Sequence, residues 1–65
     1  MYPNFNSEKA RVGLTLKEMA PQLGITIGTL SRKLTGKNAL TLDEARKLKE
    51  LVGTDLSLDE LFQEG

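Results

Sequence analysis

The chain has 65 residues, with nine basic and nine acidic side chains and no cysteine or histidine, a length that makes one small domain. Without cysteine there is no disulfide framework or thiolate metal site, and without histidine the commonest general base and metal ligand are absent, so we expect no enzyme, metal or cofactor. No apolar run is long enough to span a membrane and no secretory signal is visible, so we expect a cytoplasmic protein.

The first predicted helix runs from about Phe5 to Val12 and ends at a glycine. Pro3 disfavours a helical conformation at Tyr2, so we expect residues 1–4 to form an extended lead-in. The apolar face of this helix is weak, because Lys9 lies where a buried residue is expected.

The second predicted helix, Leu16 to about Leu23, has clear signals at both ends. Thr15, followed three residues later by Glu18, forms a capping box, and Gly24 can adopt the left-handed conformation that ends a helix. Pro21 removes a backbone donor near the end, which either resets the angle into the turn or is a tolerated break. The apolar side chains lie at helical spacing on one face: Leu16, Met19, Ala20 and Leu23.

A third helix follows the short glycine turn, capped by Thr26 and extending from Ile27 to about Thr35. Ile27, Leu30 and Leu34 fall within about 60° of one another around the helix axis, so we expect them to point inward together. The opposite face carries small, hydroxylated and cationic side chains: Gly28, Thr29, Arg32 and Thr35. Such a helix suits the DNA major groove, about 12 Å wide, and predicts a helix-turn-helix DNA-binding domain.

Two further helices are predicted in the C-terminal part. Thr41 with Glu44 caps a helix from Leu42 to Val52, and Ser57 with Glu60 caps a short final helix. An apolar cluster on the final helix either completes the core of the monomer or meets a second copy across a two-fold axis: Leu58, Leu61 and Phe62. Five helices leave no room for a sheet, so the predicted fold is an all-α compact five-helix bundle in a single domain covering the whole chain.

The charges are separated along the chain although the net charge is zero. Residues 1–40 hold six basic and two acidic side chains, whereas residues 41–65 hold three and seven, so the two parts carry +4 and −4. No acid occurs between Glu18 and Asp43. The third helix and the loop after it therefore lie in a window of purely positive charge, which favours contact with phosphates over plain solvation of the lysines.

Several segments of the chain match one known class of protein: MYPNF, ARVGLT, LGIT, TLSRKLTGK, LTLDEARKLKELVG and SLDELF. Together they resemble the Cro and phage-repressor class of helix-turn-helix proteins, most closely the short Cro-like regulators of phages and prophages of Gram-positive bacteria. The resemblance covers nearly the full length. It implies a lambda-repressor-like fold whose third helix lies in the major groove.

The resemblance also assigns the DNA contacts. Base contacts come from the start and middle of the third helix: Ile27, Gly28, Thr29 and Arg32. Phosphate contacts come from the N-terminus of the second helix and from the loop after the third: Thr15, Lys17, Lys37 and Asn38. For Lys37 and Asn38 the alternative is that their side chains are simply solvated and contact no phosphate.

The chemistry of individual side chains refines this assignment. Arg32 can bridge O6 and N7 of one guanine with two parallel hydrogen bonds. Ile27 either contacts a thymine methyl or packs in the core, while the hydroxyls of Thr29 and Ser31 bond to a phosphate or base edge, or back to the preceding turn. We expect the stem of Lys33 to cover the edge of the core while its ammonium reaches toward phosphate or solvent, so Ser31 and Lys33 join the candidate phosphate contacts.

These features predict a sequence-specific, DNA-binding transcriptional regulator, and most specifically a Cro-like repressor. A palindromic operator needs two recognition helices about 34 Å apart, so we expect a homodimer on double-stranded DNA. The alternative is a helical protein-interaction module, such as an antitoxin-like regulator without DNA contacts, which a net charge of zero would suit.

Overall fold

Five α-helices make up the computed structural model, which describes residues 2–65. They are α1 (Pro3–Val12), α2 (Leu16–Leu23), α3 (Ile27–Leu34), α4 (Leu42–Val52) and α5 (Leu58–Leu61). The domain measures 26 × 22 × 18 Å, and no helix among these residues is long and apolar enough to cross a bilayer. The predicted all-α fold with a central helix-turn-helix is confirmed.

Three of the helices begin with the capping boxes that the sequence predicts. In each, the hydroxyl of the cap residue accepts a hydrogen bond from the backbone N–H of the glutamate three residues later, at 3.1 to 3.2 Å. The glutamate carboxylate in turn accepts the backbone N–H of the cap residue at 2.9 to 3.0 Å. The pairs are Thr15 with Glu18, Thr41 with Glu44, and Ser57 with Glu60.

The start of α1 differs from the prediction. The helix begins at Pro3 rather than Phe5, so Pro3 and Asn4 are helical and the extended lead-in predicted for residues 1–4 is wrong at these two positions. Proline is favoured in the first turn, because its fixed φ suits a helix and its missing N–H would have no helical partner there. Tyr2 remains outside the helix as its N-cap, and Met1 lies outside the described residues.

The core is built from all five helices. Its fully or nearly fully buried members are Phe5, Met19, Ala20, Leu30, Leu34, Leu48, Val52 and Leu61. Leu61 of α5 is completely buried, and the ring of Phe62 stacks on Phe5 with centroids 5.4 Å apart. These two members of the C-terminal apolar cluster therefore complete the core of the monomer, while Leu58 is half-buried.

The turn between α2 and α3 depends on Gly24. Its φ is +70°, and the N–H of Gly24 and of Ile25 bond to the carbonyls of Pro21 and Ala20 at 3.1 and 3.2 Å. The helix continues through Pro21 to Leu23, so the proline is accommodated within the last turn. Because L residues rarely adopt a positive φ, glycine lets the chain reverse here without strain.

Replacing Gly24 with alanine should lower the free energy of unfolding by about 1 kcal/mol or more, because the left-handed conformation penalises a Cβ. The cost would be one of backbone conformation, since a Cβ at this position meets nothing within 4 Å. Urea denaturation measures it. The control is Gly28→Ala in α3, where φ is helical and the new Cβ makes only an ordinary contact, so stability should rise by up to about 1 kcal/mol. Equal losses in the two variants would contradict this account of the turn.

Candidate nucleic-acid interface

Helix α3 is anchored along one side only. Within residues 2–65 its backbone lies close to that of α2 and to no other helix. Leu30 and Leu34 bury that side in the core, whereas Gly28, Arg32 and Thr35 are exposed. The outer face of α3 is therefore free to approach a partner.

Ile27 does not join the inward stripe. Its side chain is 50% exposed, whereas Leu30, one turn later, is completely buried, so the prediction that all three apolar residues point inward together is wrong for Ile27. Helical side chains lean toward the N-terminus of their helix, and at the first helical position nothing of α3 lies beneath the side chain. Ile27 thus presents a methyl-rich surface at the edge of the outer face.

The guanidinium of Arg32 lies back along α3. Its Nη2 donates a long, weak hydrogen bond to the hydroxyl of Thr29 at 3.4 Å, and a Cβ built on Gly28 would lie 3.8 Å from Nη1. The Thr29 hydroxyl also accepts a bond from the hydroxyl of Thr26 at 2.9 Å. Arg32 takes part in neither of the two ion pairs found within residues 2–65. Its donors can therefore turn to another acceptor at little energetic cost.

The N-terminus of α2 carries two of the candidate phosphate contacts. The Thr15 hydroxyl accepts the backbone N–H of Glu18 at 3.2 Å and donates to the Glu18 carboxylate at 3.0 Å, so it is engaged in the cap. Lys17 is exposed, and it too is outside the ion pairs of the described residues. Of these two candidates, Lys17 carries the positive charge that would attract a phosphate, whereas the Glu18 carboxylate beside it would repel one.

Lys33 is oriented differently from the sequence expectation. Its ammonium donates to the backbone carbonyl of Ala39 at 3.0 Å and lies 3.1 Å from Oε1 of Glu44. The side chains of Lys33 and Glu44 are only 14% and 17% exposed. The ammonium thus points toward α4 rather than toward phosphate or solvent, because an acid that is distant in sequence lies beside it in the fold.

The loop after α3 begins by folding over the end of the helix. The backbone N–H groups of Lys37 and Asn38 both bond to the carbonyl of Arg32, at 2.9 and 3.2 Å. The side chains of Lys37 and Asn38 are exposed. The loop candidates and the base-contacting candidate Arg32 are therefore tied to one another through the backbone.

Lys9 is a candidate that sequence reasoning missed. A groove of about 200 Å³ runs beside α3, lined by Asn6, Lys9, Leu16, Ser31, Leu34 and Thr35. Lys9 is half-buried, belongs to α1, and is in neither ion pair of the described residues. It brings a cation next to Ser31, which is also half-buried. The only signal in the sequence was a lysine on the otherwise apolar side of the first helix.

Arg11, by contrast, is used inside the domain. Its Nη2 lies 3.1 Å from the Glu8 carboxylate and donates to the backbone carbonyl of Val52 at 3.3 Å, which ties α1 to the end of α4. The hydroxyl of Thr54 and, after it, Arg11 lower the pKa of Glu8. No group of acidic side chains among residues 2–65 is arranged to hold a metal ion.

The fold and the free, cationic face of α3 define a helix-turn-helix domain. Residues 8–60 match the profile of the helix-turn-helix family, and the chain belongs to that family, of the Cro and phage-repressor type. No curated protein and no solved structure matches the chain significantly. Membership implies a DNA-binding transcriptional regulator and not an enzyme.

The contact between Lys33 and Glu44 predicts a pH-dependent stability. The Thr41 backbone N–H, and then Lys33, lower the pKa of Glu44. A carboxyl group with a lowered pKa in the folded state stabilises the fold fully above its unfolded pKa and loses this effect as the pH falls through the folded value. Glu44→Gln should therefore cost up to about 1 kcal/mol at neutral pH through the lost ion pair, and this cost should vanish in acid. Urea denaturation across pH measures it.

Glu60→Gln provides the control. Glu60 forms the same capping box with Ser57, which lowers its pKa, but within residues 2–65 it has no lysine partner. Its replacement should thus reproduce the change in the cap without the loss of an ion pair. A loss in Glu44→Gln that does not vary with pH, or that Glu60→Gln matches, would contradict the contribution of Lys33.

Proposed function

We propose that this protein is a Cro-like transcriptional repressor that binds a palindromic or pseudo-palindromic operator as a homodimer, with α3 in the major groove. One observation carries the proposal: Arg32 stands exposed on the free face of α3, paired with no acid of the described residues. An arginine held against a carboxylate would have to break that pair before it could contact a base. The free guanidinium does not bear this cost.

The base contacts follow from the chemistry of the outer face. Arg32 bonds to O6 and N7 of a guanine, and the Thr29 hydroxyl, released from the weak bond to Arg32, contacts a base edge or phosphate. Ile27, being half exposed, packs against a thymine methyl. Gly28 has no side chain, so the backbone at the start of α3 can approach the bases closely.

The phosphate contacts flank this face on two sides. Lys17 contacts one strand from the start of α2, where the Thr15 hydroxyl reaches a phosphate only by leaving the Glu18 carboxylate. The exposed Lys37 and Asn38 make contacts from the loop after α3. The groove beside α3 adds two more contacts, from Lys9 and Ser31. The acidic excess of residues 41–65 is repelled by phosphate and so orients the domain with α3 toward the duplex.

The dimer and the repression follow from the geometry of operators. One domain offers one recognition helix, and specific sites of this class present two half-sites about 34 Å apart on one side of the duplex. A pair of domains that occupies such a site within a promoter excludes the polymerase. We therefore propose homodimerisation on DNA as part of the function.

A second candidate function is that of an antitoxin-like regulator whose partner is a protein. It is favoured by the exposed apolar side chains of Val12 and Leu42, at 41% and 58%, together with the zero net charge. Such a partner would cover apolar surface and depend little on salt. The salt dependence of binding separates the two candidates.

The first test measures how DNA binding depends on salt, and its probe is a duplex selected by the protein from a random pool. The affinity of the protein for a selected duplex should fall by orders of magnitude between about 50 and about 200 mM salt, because several phosphate contacts per dimer each release counterions. Fluorescence anisotropy measures it, and the symmetry of the selected sites reports on the dimer. A flat response to salt, or no selected site at all, would favour the protein-partner candidate.

Arg32→Ala tests the base contact. It should cost about 1 to 3 kcal/mol for each half-site of the selected site and relax the preference at one base pair in each, while binding to a mixed-sequence duplex changes little. The control is Arg46→Ala, since Arg46 is exposed on α4, outside the interface and outside the ion pairs of the described residues. Equal losses on the selected and mixed duplexes would make Arg32 a phosphate contact instead.

A further inference from the structure

Three separate segments of the chain meet at the ammonium group of Lys33. The lysine belongs to α3, its Nζ donates to the Ala39 carbonyl in the loop at 3.0 Å, and it lies 3.1 Å from Oε1 of Glu44 in α4. The same carboxylate oxygen accepts the backbone N–H of Thr41, the cap residue of α4, at 2.9 Å. One side chain of the recognition helix thus holds the end of the loop and the start of the next helix.

The other end of the loop is held by the same helix. The N–H groups of Lys37 and Asn38 bond to the carbonyl of Arg32, the residue just before Lys33. Consecutive residues of α3 therefore hold both ends of the loop, one through its backbone and the other through its side chain. Lys37 and Asn38 form the first attachment through their backbone N–H groups, and the second attachment, at Ala39, follows directly in the chain, while both of their side chains are exposed.

Among the described residues, no close backbone packing connects α3 to α4 in addition to this side-chain contact. Within residues 2–65 the backbone of α3 comes close to α2 but not to α4, and Lys33 to Glu44 is the one ion pair that joins these two helices. With the side chains of the pair only 14% and 17% exposed, the attraction is less screened by water than at an open surface. Without the ammonium, the part of the loop near Ala39 would lose its bond to α3.

We infer that Lys33 is a positioning residue for DNA binding. It holds the loop so that Lys37 and Asn38 stand at a set distance from Arg32 before DNA arrives, and it does not itself touch a phosphate. A loop ordered in advance spares the entropy that its immobilisation would otherwise cost on binding. The inference rests on the proposed function, because it concerns the geometry of the same interface.

A double-mutant cycle between Lys33 and Lys37 tests the inference. Lys33→Met keeps the apolar stem but removes the ammonium, and Lys37→Ala removes the proposed phosphate contact. Binding of the wild type, both single variants and the double variant to a selected duplex is measured by anisotropy over a range of salt, well below each midpoint of thermal unfolding.

In the wild-type background, Lys37→Ala should reduce the slope of log affinity against log salt by about 2, about 1 for each subunit of the dimer. Lys33→Met should weaken binding by about three- to tenfold. In the Lys33→Met background, the loss of affinity caused by Lys37→Ala should be less than half of the loss it causes in the wild type, because the two residues act as a unit. Lys33→Arg, which keeps a cationic donor, should retain the coupling. Glu44→Gln, which breaks the same ion pair by removing the carboxylate, should also reduce the coupling between Lys33 and Lys37.

Two outcomes would overturn the inference while leaving DNA binding intact. If Lys33→Met lowers only the thermal midpoint, and the effects of the two lysines on affinity are additive, Lys33 is a structural brace alone. If Lys33→Met by itself reduces the salt slope by about 2, about 1 for each subunit, and the effects remain additive, Lys33 contacts a phosphate directly. A wild-type protein whose binding does not respond to salt would instead overturn the proposed function, and the positioning role with it.

Discussion

The interface depends on the burial of one side of α3. Leu30 and Leu34 hold the helix in the core, and α2 is the only helix whose backbone approaches it within the described residues. The turn at Gly24 sets α2 and α3 against each other, and its left-handed backbone lets this packing occur over a short connection. Because the core takes up only this side, the side chains opposite are left to solvent and to a partner. The exposure of Arg32 is therefore a consequence of how the core is built.

Charge acts on this surface at two ranges. At long range, the cationic residues 1–40 and the acidic residues 41–65 cancel in the total but are separated along the chain, so a zero net charge does not conflict with a cationic face. At short range, Lys33 and Glu44 bring one residue from each part into contact. The ion pair joins α3 to the first turn of α4. It also removes Lys33 from the set of free cations, whereas Lys9 from α1 lies in the groove beside α3.

Much of the fold could be predicted because its signals are local. Each capping box involves two residues three positions apart, so the starts of α2, α4 and α5 follow from the sequence alone. The start of α1 could not be predicted this way. Pro3 disfavours helix for the residue before it but also suits the first turn of a helix, and the sequence does not say which effect governs. The packing of Phe62 likewise depended on the position of Phe5, far away in the chain.

The sequence by itself determined the helices, their ends apart from the start of α1, the turn and the chemical character of the outer face of α3, because these features depend on spacings of three or four residues. Only the tertiary structure decided which of the candidate side chains are exposed and unpaired, and so able to contact a partner. Ile27 is half exposed because it is the first residue of α3, where no preceding turn of the helix lies beneath its side chain, although its helical phase suggested burial. Lys33 turns inward because Glu44, which lies eleven positions away, is beside it in space. Helical periodicity predicts the direction in which a side chain points from its own helix. The groups that the side chain contacts belong to other helices and loops, whose positions the local sequence does not give.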